Sequence, residues 1–359
     1  MNLEILVDSD NFWTRFAEDI DSAQKNIYIQ TLSFEGDKAG LQLAERLTAA
    51  AAPDKRIIID NYTKYMLSDK FRYSPRNLFD EELKEEGRET SRMVARLIAD
   101  GTKVRFVNPV GPFLCRFPIR NHKKILVIDG RIGYIGGINF SDHNFDWHDM
   151  MLRIEDDDAV EYLTEDFMTS WQGGHFAGNQ KFGDLELFSL DGRSNENAFE
   201  EVFRLIGSAR RSIYVQSPYL SFPFCDHLRM AAERNVKVTV TSPEKNNFPG
   251  MDDYIRWESA RGNYDLLLYP DRMTHLKAML IDDSHLIVGS SNFDHFSYKL
   301  IQEIFAVVTD RTTIDSFIKQ IIDIDNPLCH RPQDDPNRLR GYLRNLQLKS
   351  INRVSALFK

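Results

Sequence analysis

Two stretches of the sequence share one pattern: HKKILVIDGRIGYIGGIN at residues 122–139 and HLKAMLIDDSHLIVGSSN at residues 275–292. Both read H-x-K-x-x-x-x-D, and after six further residues both read G-[GS]-x-N. The histidine and the asparagine are therefore seventeen residues apart in each copy. Identical internal spacing, once in each half of the chain, indicates a duplicated unit.

The duplication extends beyond this motif. Residues 3–6 (LEIL) resemble residues 185–188 (LELF), and residues 22–30 (SAQKNIYIQ) resemble residues 208–216 (SARRSIYVQ). Similarity between two long segments is typical of a gene duplication and not of a solenoid with many short repeats. We therefore predict two similar halves.

Each half alternates segments with strand-like and helix-like patterns. In the first half we predict strands at 26–31, 56–60, 103–107, 124–128 and 132–135, with helices at 12–23 and 91–99. In the second half we predict strands at 213–216, 236–241, 266–269, 278–281 and 286–288. Buried strands of this length that alternate with amphipathic segments favour an α/β architecture with helices on both faces of a sheet.

The two halves differ in an insert and in a loop. Residues 61–90 form a polar, charged insert that the second half lacks, and an apolar loop at 110–117 has a much shorter counterpart. We predict an N-terminal half at 1–176, a C-terminal half at 181–330, and a linker with a basic amphipathic tail at 331–359. The tail carries six basic side chains and no acidic one between residues 337 and 359.

Composition narrows the class of protein. The 359 residues carry a net charge of -9, which argues against a nucleic-acid binder because such proteins usually present a basic face. The three scattered cysteines form neither a disulfide framework nor a zinc motif, so we expect a reducing cytoplasm. The sequence also shows no leader pattern and no apolar run long enough to span a bilayer.

The residue types in the repeated motif suit phosphodiester chemistry. A neutral imidazole can attack phosphorus and form a covalent intermediate, while a second, protonated imidazole can donate a proton to the leaving oxygen. His122 and His275 could supply both roles. Lys124 and Lys277 offer positive charge to the phosphoryl oxygens. The neutral amides of Asn139 and Asn292 can donate hydrogen bonds to the same oxygens. We therefore expect one phosphate-handling site assembled from two similar halves.

The paired H-x-K-x-x-x-x-D motif resembles that of the phospholipase D superfamily, from residue 3 to about residue 310. The resemblance implies two phospholipase D-like α/β sandwich halves related by a pseudo-twofold axis. It implies His122 as nucleophile and His275 as general acid, an order that sequence symmetry alone leaves open. It also implies that a downstream carboxylate orients each histidine, for which Asp149 and Glu303 are the candidates, 27 and 28 residues after their histidines. Asp129 and Asp282 complete the motif as mostly structural members, and no metal or cofactor is implied.

Within the superfamily the sequence resembles cardiolipin-synthase-type phosphatidyltransferases at residues 120–130, 136–140 and 149–171 and around residues 292–303. It departs from them at Phe296 and Gln302, where arginine and asparagine are common, and in lacking the membrane-spanning helices with which many members begin. The resemblance implies transphosphatidylation through a covalent phosphohistidine. A phospholipase D-type hydrolase, a nuclease of the same superfamily and a membrane-docking scaffold with a vestigial site remain alternatives.

The implied substrate is a phospholipid, anionic like phosphatidylglycerol, and we expect no nucleic-acid partner. Because we predict no spanning helix, we expect peripheral association with the inner face of the membrane, from the cytoplasm. In the tail, one helical face would carry six apolar side chains: Leu339, Tyr342, Leu343, Leu346, Val354 and Leu357. That face could form an anchor or belong to a solvated helix, and the loop at Phe113–Phe117 could contact lipid or pack in the core.

Overall fold

The structure, a computed structural model, describes the backbone of residues 1–355 and the side chains of residues 1–350. The chain divides into two compact units. The first contains residues 1–177 and 302–304, and the second contains residues 178–301 and continues from residue 305. Each unit is an α/β sandwich and is described by itself.

The first unit contains nine strands and five helices. The strands are β1 (Asn2–Val7), β2 (Asn26–Thr31), β3 (Asp54–Asp60), β4 (Met66–Leu67), β5 (Lys70–Phe71), β6 (Lys103–Val107), β7 (Ile125–Ile128), β8 (Ile132–Gly136) and β9 (Met150–Glu155). The helices are α1 (Asp8–Ser22), α2 (Lys38–Ala49), α3 (Glu81–Ala99), α4 (Asp142–Phe145) and α5 (Asp157–Trp171).

Seven of these strands form one mixed sheet in the order β1-β9-β8-β7-β2-β3-β6. The strands β2, β3 and β6 run parallel to one another, whereas β7, β8 and β9 form an antiparallel meander. Every residue of β7 is buried, which is why ILVI is apolar without alternation. The first motif lies just before and along this central strand.

Helices cover both faces of the sheet. Ile27 and Ile29 of β2 join a buried cluster that includes Phe16 of α1 and Leu43 of α2. Tyr28, between those two isoleucines, stacks on Phe167 of α5, with ring centroids 4.9 Å apart. Successive side chains of a strand point to opposite faces, so α1 and α2 lie on one face and α5 on the other.

Up to residue 355, the second unit contains eight strands and seven helices. The strands are β10 (Gly178–Phe182), β11 (Leu185–Asp191), β12 (Ser212–Gln216), β13 (Lys237–Pro243), β14 (Asp265–Tyr269), β15 (Ala278–Ile281), β16 (His285–Gly289) and β17 (Gln302–Val308). Three residues of β17, its last strand, are grouped with the first unit. The helices are α6 (Asn195–Ser208), α7 (Phe224–Glu233), α8 (Met251–Gly262), α9 (His295–Lys299), α10 (Arg311–Phe317), α11 (Asp323–Leu328) and α12 (Arg338–Ser355).

The second sheet repeats the order of the first. Its strands run in the order β10-β11-β17-β16-β15-β12-β13-β14. The last seven strands of this order correspond one by one to the seven strands of the first sheet, and β10 is an added edge strand. Again three neighbouring strands, β12, β13 and β14, are parallel. The predicted fold class of two similar α/β halves is therefore confirmed.

The predicted tail begins beside the body of the second unit. Its helix α12 packs against α8, where a Cβ on Gly341 would lie 2.3 Å from Cβ of Trp257. Leu348 of α12 is buried in the core of the second unit. Among the side chains of the predicted apolar face, Val354 and Leu357 lie outside the described residues.

The opposite side of α12 presents the remainder of that face to solvent. Its exposed apolar side chains are Leu339, Tyr342, Leu343 and Leu346. Within residues 1–355, no helix combines the length and the apolar composition needed to cross a bilayer.

Candidate active site

His122 is bonded to a carboxylate that lies far from it in the sequence. Its Nδ1 lies 3.0 Å from both Oε1 and Oε2 of Glu303, and the Glu303 side chain is completely buried. Because a carboxylate accepts hydrogen bonds, the Nδ1–H of His122 donates this one. The neutral ring then carries its lone pair on Nε2, the nitrogen suited to nucleophilic attack.

Backbone pairing brings this carboxylate to the first motif. Asn121 and Gln302 form a parallel β-bridge, in which Gln302 N donates to Arg120 O and His122 N donates to Gln302 O, each at 2.9 Å. The start of β17 thus runs alongside the segment before His122. From its spacing in the sequence, Glu303 was assigned to the histidine of the second motif. In the structure it is bonded to His122 of the first motif, because the bridge between Asn121 and Gln302 brings it there.

The other candidate orienting carboxylate, Asp149, is buried just before β9. Its Oδ1 accepts a 2.8 Å hydrogen bond from Met150 N, and the side chain packs on the backbone of Gly137. A Cβ at Gly137 would lie 2.3 Å from both carboxylate oxygens of Asp149. Gly137, the second glycine of the motif in the first half, is therefore required by the close approach of this carboxylate.

Both motif lysines are buried and bind the backbone of the histidine two residues earlier. Lys124 Nζ donates to His122 O at 2.9 Å, and Lys277 Nζ donates to His275 O. Lys277 Nζ also lies 2.8 Å from Nδ1 of His275. An ammonium group has three donors, and in each motif one of them holds the backbone of the histidine.

The motif asparagines are buried at the ends of β8 and β16. Asn139 accepts a 3.2 Å hydrogen bond from Thr31 Oγ1 and donates a 2.7 Å bond from Nδ2 to Asn144. Asn292 follows β16 in the same register and is 6% exposed. The amide of Asn139 is thus fixed in orientation, with one of its two N–H groups engaged by Asn144.

The motif aspartates tie a hairpin turn to a neighbouring loop. The Asp129 carboxylate accepts from the backbone N–H groups of residues 24, 25 and 26, at distances down to 2.7 Å. Asp282 does the same with residues 210, 211 and 212. Burial opposes ionisation, but these amide bonds lower the pKa of both carboxyls below its ordinary value. Their contacts are those of structural residues.

Two glutamines that the sequence interpretation did not assign to the site support the residue before each histidine. Gln30 Nε2 donates to Asn121 Oδ1 at 2.9 Å, and Gln216 Nε2 donates to Thr274 Oγ1 at 2.9 Å. Both glutamines are completely buried. The available signal was a polar residue at the same position in the two copies of an otherwise apolar strand, NIYIQ and SIYVQ.

A buried ion pair supports the same segment in the first unit. Asp60 Oδ1 accepts from Arg120 at 2.6 Å, and Asp60 Oδ2 accepts from Asn121 N at 2.6 Å. Burial raises the pKa of Asp60 to about 6, although the charge of Arg120 and the amide bonds oppose this. The residues that precede His122 are therefore fixed by Asp60 and Gln30 together.

One acidic cluster in the described residues has ligand atoms close enough to hold a metal ion: Glu35, Asp37 and Glu86, within 4.8 Å of one another. Burial raises the pKa of Glu35 to about 10, so its carboxyl is neutral near neutral pH. A protonated carboxyl is a poor metal ligand. Two members of the cluster are joined through Ser68, whose N–H donates to Glu35 and whose hydroxyl donates to Glu86.

Comparison with known proteins finds related sequences. The chain is 27% identical over 341 residues to cardiolipin synthase 1 of Staphylococcus epidermidis, covering 86% of this chain and 64% of that protein. It is 24% identical over 344 residues to the major cardiolipin synthase ClsA of Bacillus subtilis, covering 87% of this chain and 66% of that protein. The chain therefore spans less than two thirds of the length of either relative.

A solved structure shows the same fold at lower identity. The crystal structure of phosphatidylserine synthase from Haemophilus influenzae Rd KW20 matches with a TM-score of 0.70 and 14% identity, covering 98% of this chain and 94% of that one. The family described as "Cardiolipin synthase, PLD-like domain" matches residues 16–171 and 202–324, which is more than half of the chain and includes both motifs. The resemblance inferred from the paired motifs is thereby confirmed, and the chain belongs to this cardiolipin synthase, PLD-like domain family of the phospholipase D superfamily.

Proposed function

We propose that the protein is a phosphatidyltransferase that exchanges one phosphatidyl ester for another through a covalent phosphohistidine. The observation that carries the proposal is the hydrogen bond between His122 and Glu303, found in a chain that belongs to the cardiolipin synthase, PLD-like domain family. That bond holds the imidazole in the tautomer that a nucleophile needs. The names of the curated relatives, both cardiolipin synthases, indicate the substrate class.

In the first step, Nε2 of His122 attacks the phosphorus of phosphatidylglycerol, and a P–N bond forms. The P–O bond to the glycerol head group breaks, and protonated His275 donates its proton to the departing oxygen. As the imidazole of His122 gains positive charge, Glu303 stabilises it. The order of the two histidines follows the family resemblance and agrees with the tautomer that Glu303 imposes on His122.

In the second step, His275 accepts the proton of the attacking alcohol. The alcohol oxygen forms a bond to phosphorus, the P–N bond breaks, and His122 is released in its neutral form. Lys124, Lys277 and the two motif asparagines stabilise the phosphoryl oxygens, on which charge accumulates in both transition states. With a second phosphatidylglycerol as the alcohol, the product is cardiolipin, and with water it is phosphatidic acid.

Identification of the lipid products tests this proposal. Purified protein is incubated with phosphatidylglycerol vesicles, and the lipids are identified by mass, with His122→Ala as the control. We expect cardiolipin and glycerol from the unmodified chain and neither from the variant. Phosphatidic acid as the sole product would make the protein a hydrolase, and cleavage of single-stranded DNA without any lipid product would make it a nuclease.

We also propose that the protein acts peripherally at the inner face of a membrane, on anionic lipid. The exposed apolar side of α12 lies beside the exposed basic side chains Arg338 and Arg340. An anionic surface attracts each such residue by ~1 kcal/mol when it is near. This attraction is local, whereas the acidic remainder of the chain is screened over about 8 Å at physiological salt.

Substitution tests this anchor better than truncation does. Because Leu348 of α12 fills the core of the second unit, deleting residues 337–359 would expose that core as well as remove the tail. In place of the deletion, Leu339→Ser with Leu343→Ser should weaken binding to anionic vesicles and leave unfolding unchanged. Wild-type binding by this variant would show that α12 is not the anchor.

A further inference from the structure

Five large apolar side chains are exposed on two segments of the first unit. Tyr73, Leu78 and Phe79 belong to the insert, and Phe113 and Leu114 belong to the loop that follows β6. Phe79 is 83% exposed, and Phe113 is as exposed as a residue can be. We call these five side chains the aromatic cap. The sequence interpretation treated the insert as merely polar and charged.

The two segments of the aromatic cap are packed together. The ring of Phe117, at the end of the loop, lies 6.1 Å from the rings of both Tyr62 and Phe71 of the insert. Phe71 in turn lies 6.0 Å from Tyr73. The insert and the loop therefore form one surface, joined by an aromatic contact beneath the exposed side chains.

The loop holds its most exposed residue in a strained conformation. Phe113 and Leu114 have φ angles of 50° and 59°, in the left-handed region that non-glycine residues seldom adopt. The loop is nevertheless closed by hydrogen bonds, from Arg116 N to Val110 O and from Phe117 N to Leu114 O, each at 2.9 Å. Backbone strain is concentrated at functional segments, and clustered exposed apolar side chains mark interaction sites.

The stretch of the insert up to Phe79 and the loop at 110–117 are both basic, which favours an anionic partner. Residues 61–79 and 110–117 contain five basic side chains and one acidic one, whereas residues 80–90 of the insert contain six acidic and two basic side chains. Of those acidic side chains, four form ion pairs with basic ones: Asp80, Glu81, Glu85 and Glu89. The five basic side chains of residues 61–79 and 110–117 are Lys64, Lys70, Arg72, Arg76 and Arg116. Aromatic side chains set among basic ones are the composition of surfaces that lie in the interfacial region of a bilayer, where rings meet the acyl boundary and cations meet the head groups.

The aromatic cap is also connected to the segment that carries His122. Arg120, two residues before the histidine, donates a 2.8 Å hydrogen bond to Arg116 O in the loop. Its guanidinium lies 5.9 Å from the ring centre of Phe117 and is paired with buried Asp60. Contact of the cap with a surface would therefore be made a few residues from the proposed nucleophile.

We propose that the aromatic cap docks onto an anionic lipid bilayer, so that the insert and the loop together present the first unit to the membrane. The inference rests on the proposed function in taking bilayer lipid as the substrate, and it names the surface through which that substrate is approached. A lipid leaflet fits exposed rings that are set among the basic side chains of residues 61–79 and 110–117. It assigns to the insert a purpose that the catalytic motif does not explain.

Vesicle binding by the full chain tests the inference. The double variant Phe79→Ser, Phe113→Ser is compared with Ile98→Ser and Ile324→Ser, which remove exposed apolar side chains of 54% and 55% exposure outside the cap. Partition onto phosphatidylglycerol–phosphatidylcholine vesicles should fall at least tenfold in the double variant and stay unchanged in the controls. The ratio of turnover on vesicles to turnover on a soluble short-chain phosphatidylglycerol should fall by the same factor.

A second measurement does not depend on the loss of binding. In Phe113→Trp, lipids brominated near the acyl boundary should quench the fluorescence that this tryptophan adds to the spectrum of the unmodified chain. Unchanged partition of the double variant, or no added quenching in Phe113→Trp, would overturn the inference. It would also be overturned if the unmodified chain formed a dimer that the double variant abolished, since the cap would then bind a second copy.

The outcomes separate this inference from the proposed function. Cap-dependent binding to vesicles without turnover of any phospholipid would support the cap and defeat the proposed activity. Turnover with cap-independent binding would support the activity and defeat the cap.

Discussion

Nδ1 of His122 lies 3.0 Å from both carboxylate oxygens of Glu303, a residue 181 positions further along the chain. The bond exists because the backbone of Gln302 pairs with the segment that precedes His122. The carboxylate near the second motif is therefore bonded to the first histidine. This contact links the two halves of the sequence within the first compact unit.

Replacing Glu303 by glutamine tests the role of this contact. In Glu303→Gln the ring of His122 is no longer held as the Nδ1–H tautomer, and the charge that forms on it is not neutralised. By analogy with tautomer loss in serine proteases, turnover should fall roughly 10⁴-fold while the thermal midpoint changes little. The matched control, Glu82→Gln on the exposed side of α3, should retain full turnover. Normal turnover in Glu303→Gln would refute the proposed role.

A methyl group at Gly137 tests the position of Asp149. Because a Cβ there would lie 2.3 Å from both carboxylate oxygens, Gly137→Ala should displace the side chain of Asp149. We expect a loss of turnover on the order of 10²-fold, the usual effect of a displacement of about 1 Å in an active site. Asp149→Asn should lower turnover further and remain folded. The assignment fails if Asp149→Asn turns over phosphatidylglycerol at the normal rate.

The buried glutamines should act on turnover through the histidines. Gln30→Leu removes the hydrogen bond to Asn121 and frees the segment before His122, so kcat should fall about tenfold or more while KM changes little. Ile29→Val, in the same strand, costs about 0.5–1.5 kcal/mol of stability and controls for destabilisation alone. Gln216→Leu should act similarly on His275. Equal losses of kcat in Gln30→Leu and Ile29→Val would indicate a purely structural role.

The pKa of Glu35 predicts a dependence of stability on pH. Burial raises this pKa to about 10, above the ordinary value of 4.5, so the folded chain binds a proton that the unfolded chain has released between these values. The free energy of unfolding should therefore decrease as pH rises through this window. Glu35→Gln should remove this contribution, so that the variant gains stability relative to the unmodified chain between pH 5 and pH 9. Urea midpoints with the same pH dependence in both proteins would contradict the prediction.

The sequence predicted both the buried, wholly apolar strand β15 and the partly exposed edge strand β6. The predicted strands at 26–31, 103–107 and 278–281 coincide with β2, β6 and β15. Two other strands of the first sheet were harder. β1 and β9 were not predicted as strands because their pairing partners are about 150 residues apart and their local patterns are weak. The helix predicted at 91–99 begins ten residues earlier, at Glu81, where Asp80 caps it. The prediction began too late because the first turns are charged and lack an apolar pattern.

The candidate site shows the same division. The repeated motif identified the histidines, lysines and asparagines, because these residues recur with fixed spacing. The partner of His122 could not be inferred from spacing, because strand pairing and not sequence distance brings Glu303 to it. The aromatic cap was also missed in the insert, since exposure of Phe79 depends on how α3 and the short strands β4 and β5 pack.

Trapping the covalent intermediate is the most direct test of the account. The protein is incubated with phosphatidylglycerol, quenched within the first turnover at alkaline pH, digested and examined by tandem mass spectrometry. The account predicts a phosphatidyl group on His122 that is absent in His122→Ala. In His275→Ala the adduct should accumulate when the lipid substrate carries a leaving group that needs no proton. A phosphatidyl group on His275, or lipid turnover without any protein adduct, would contradict it.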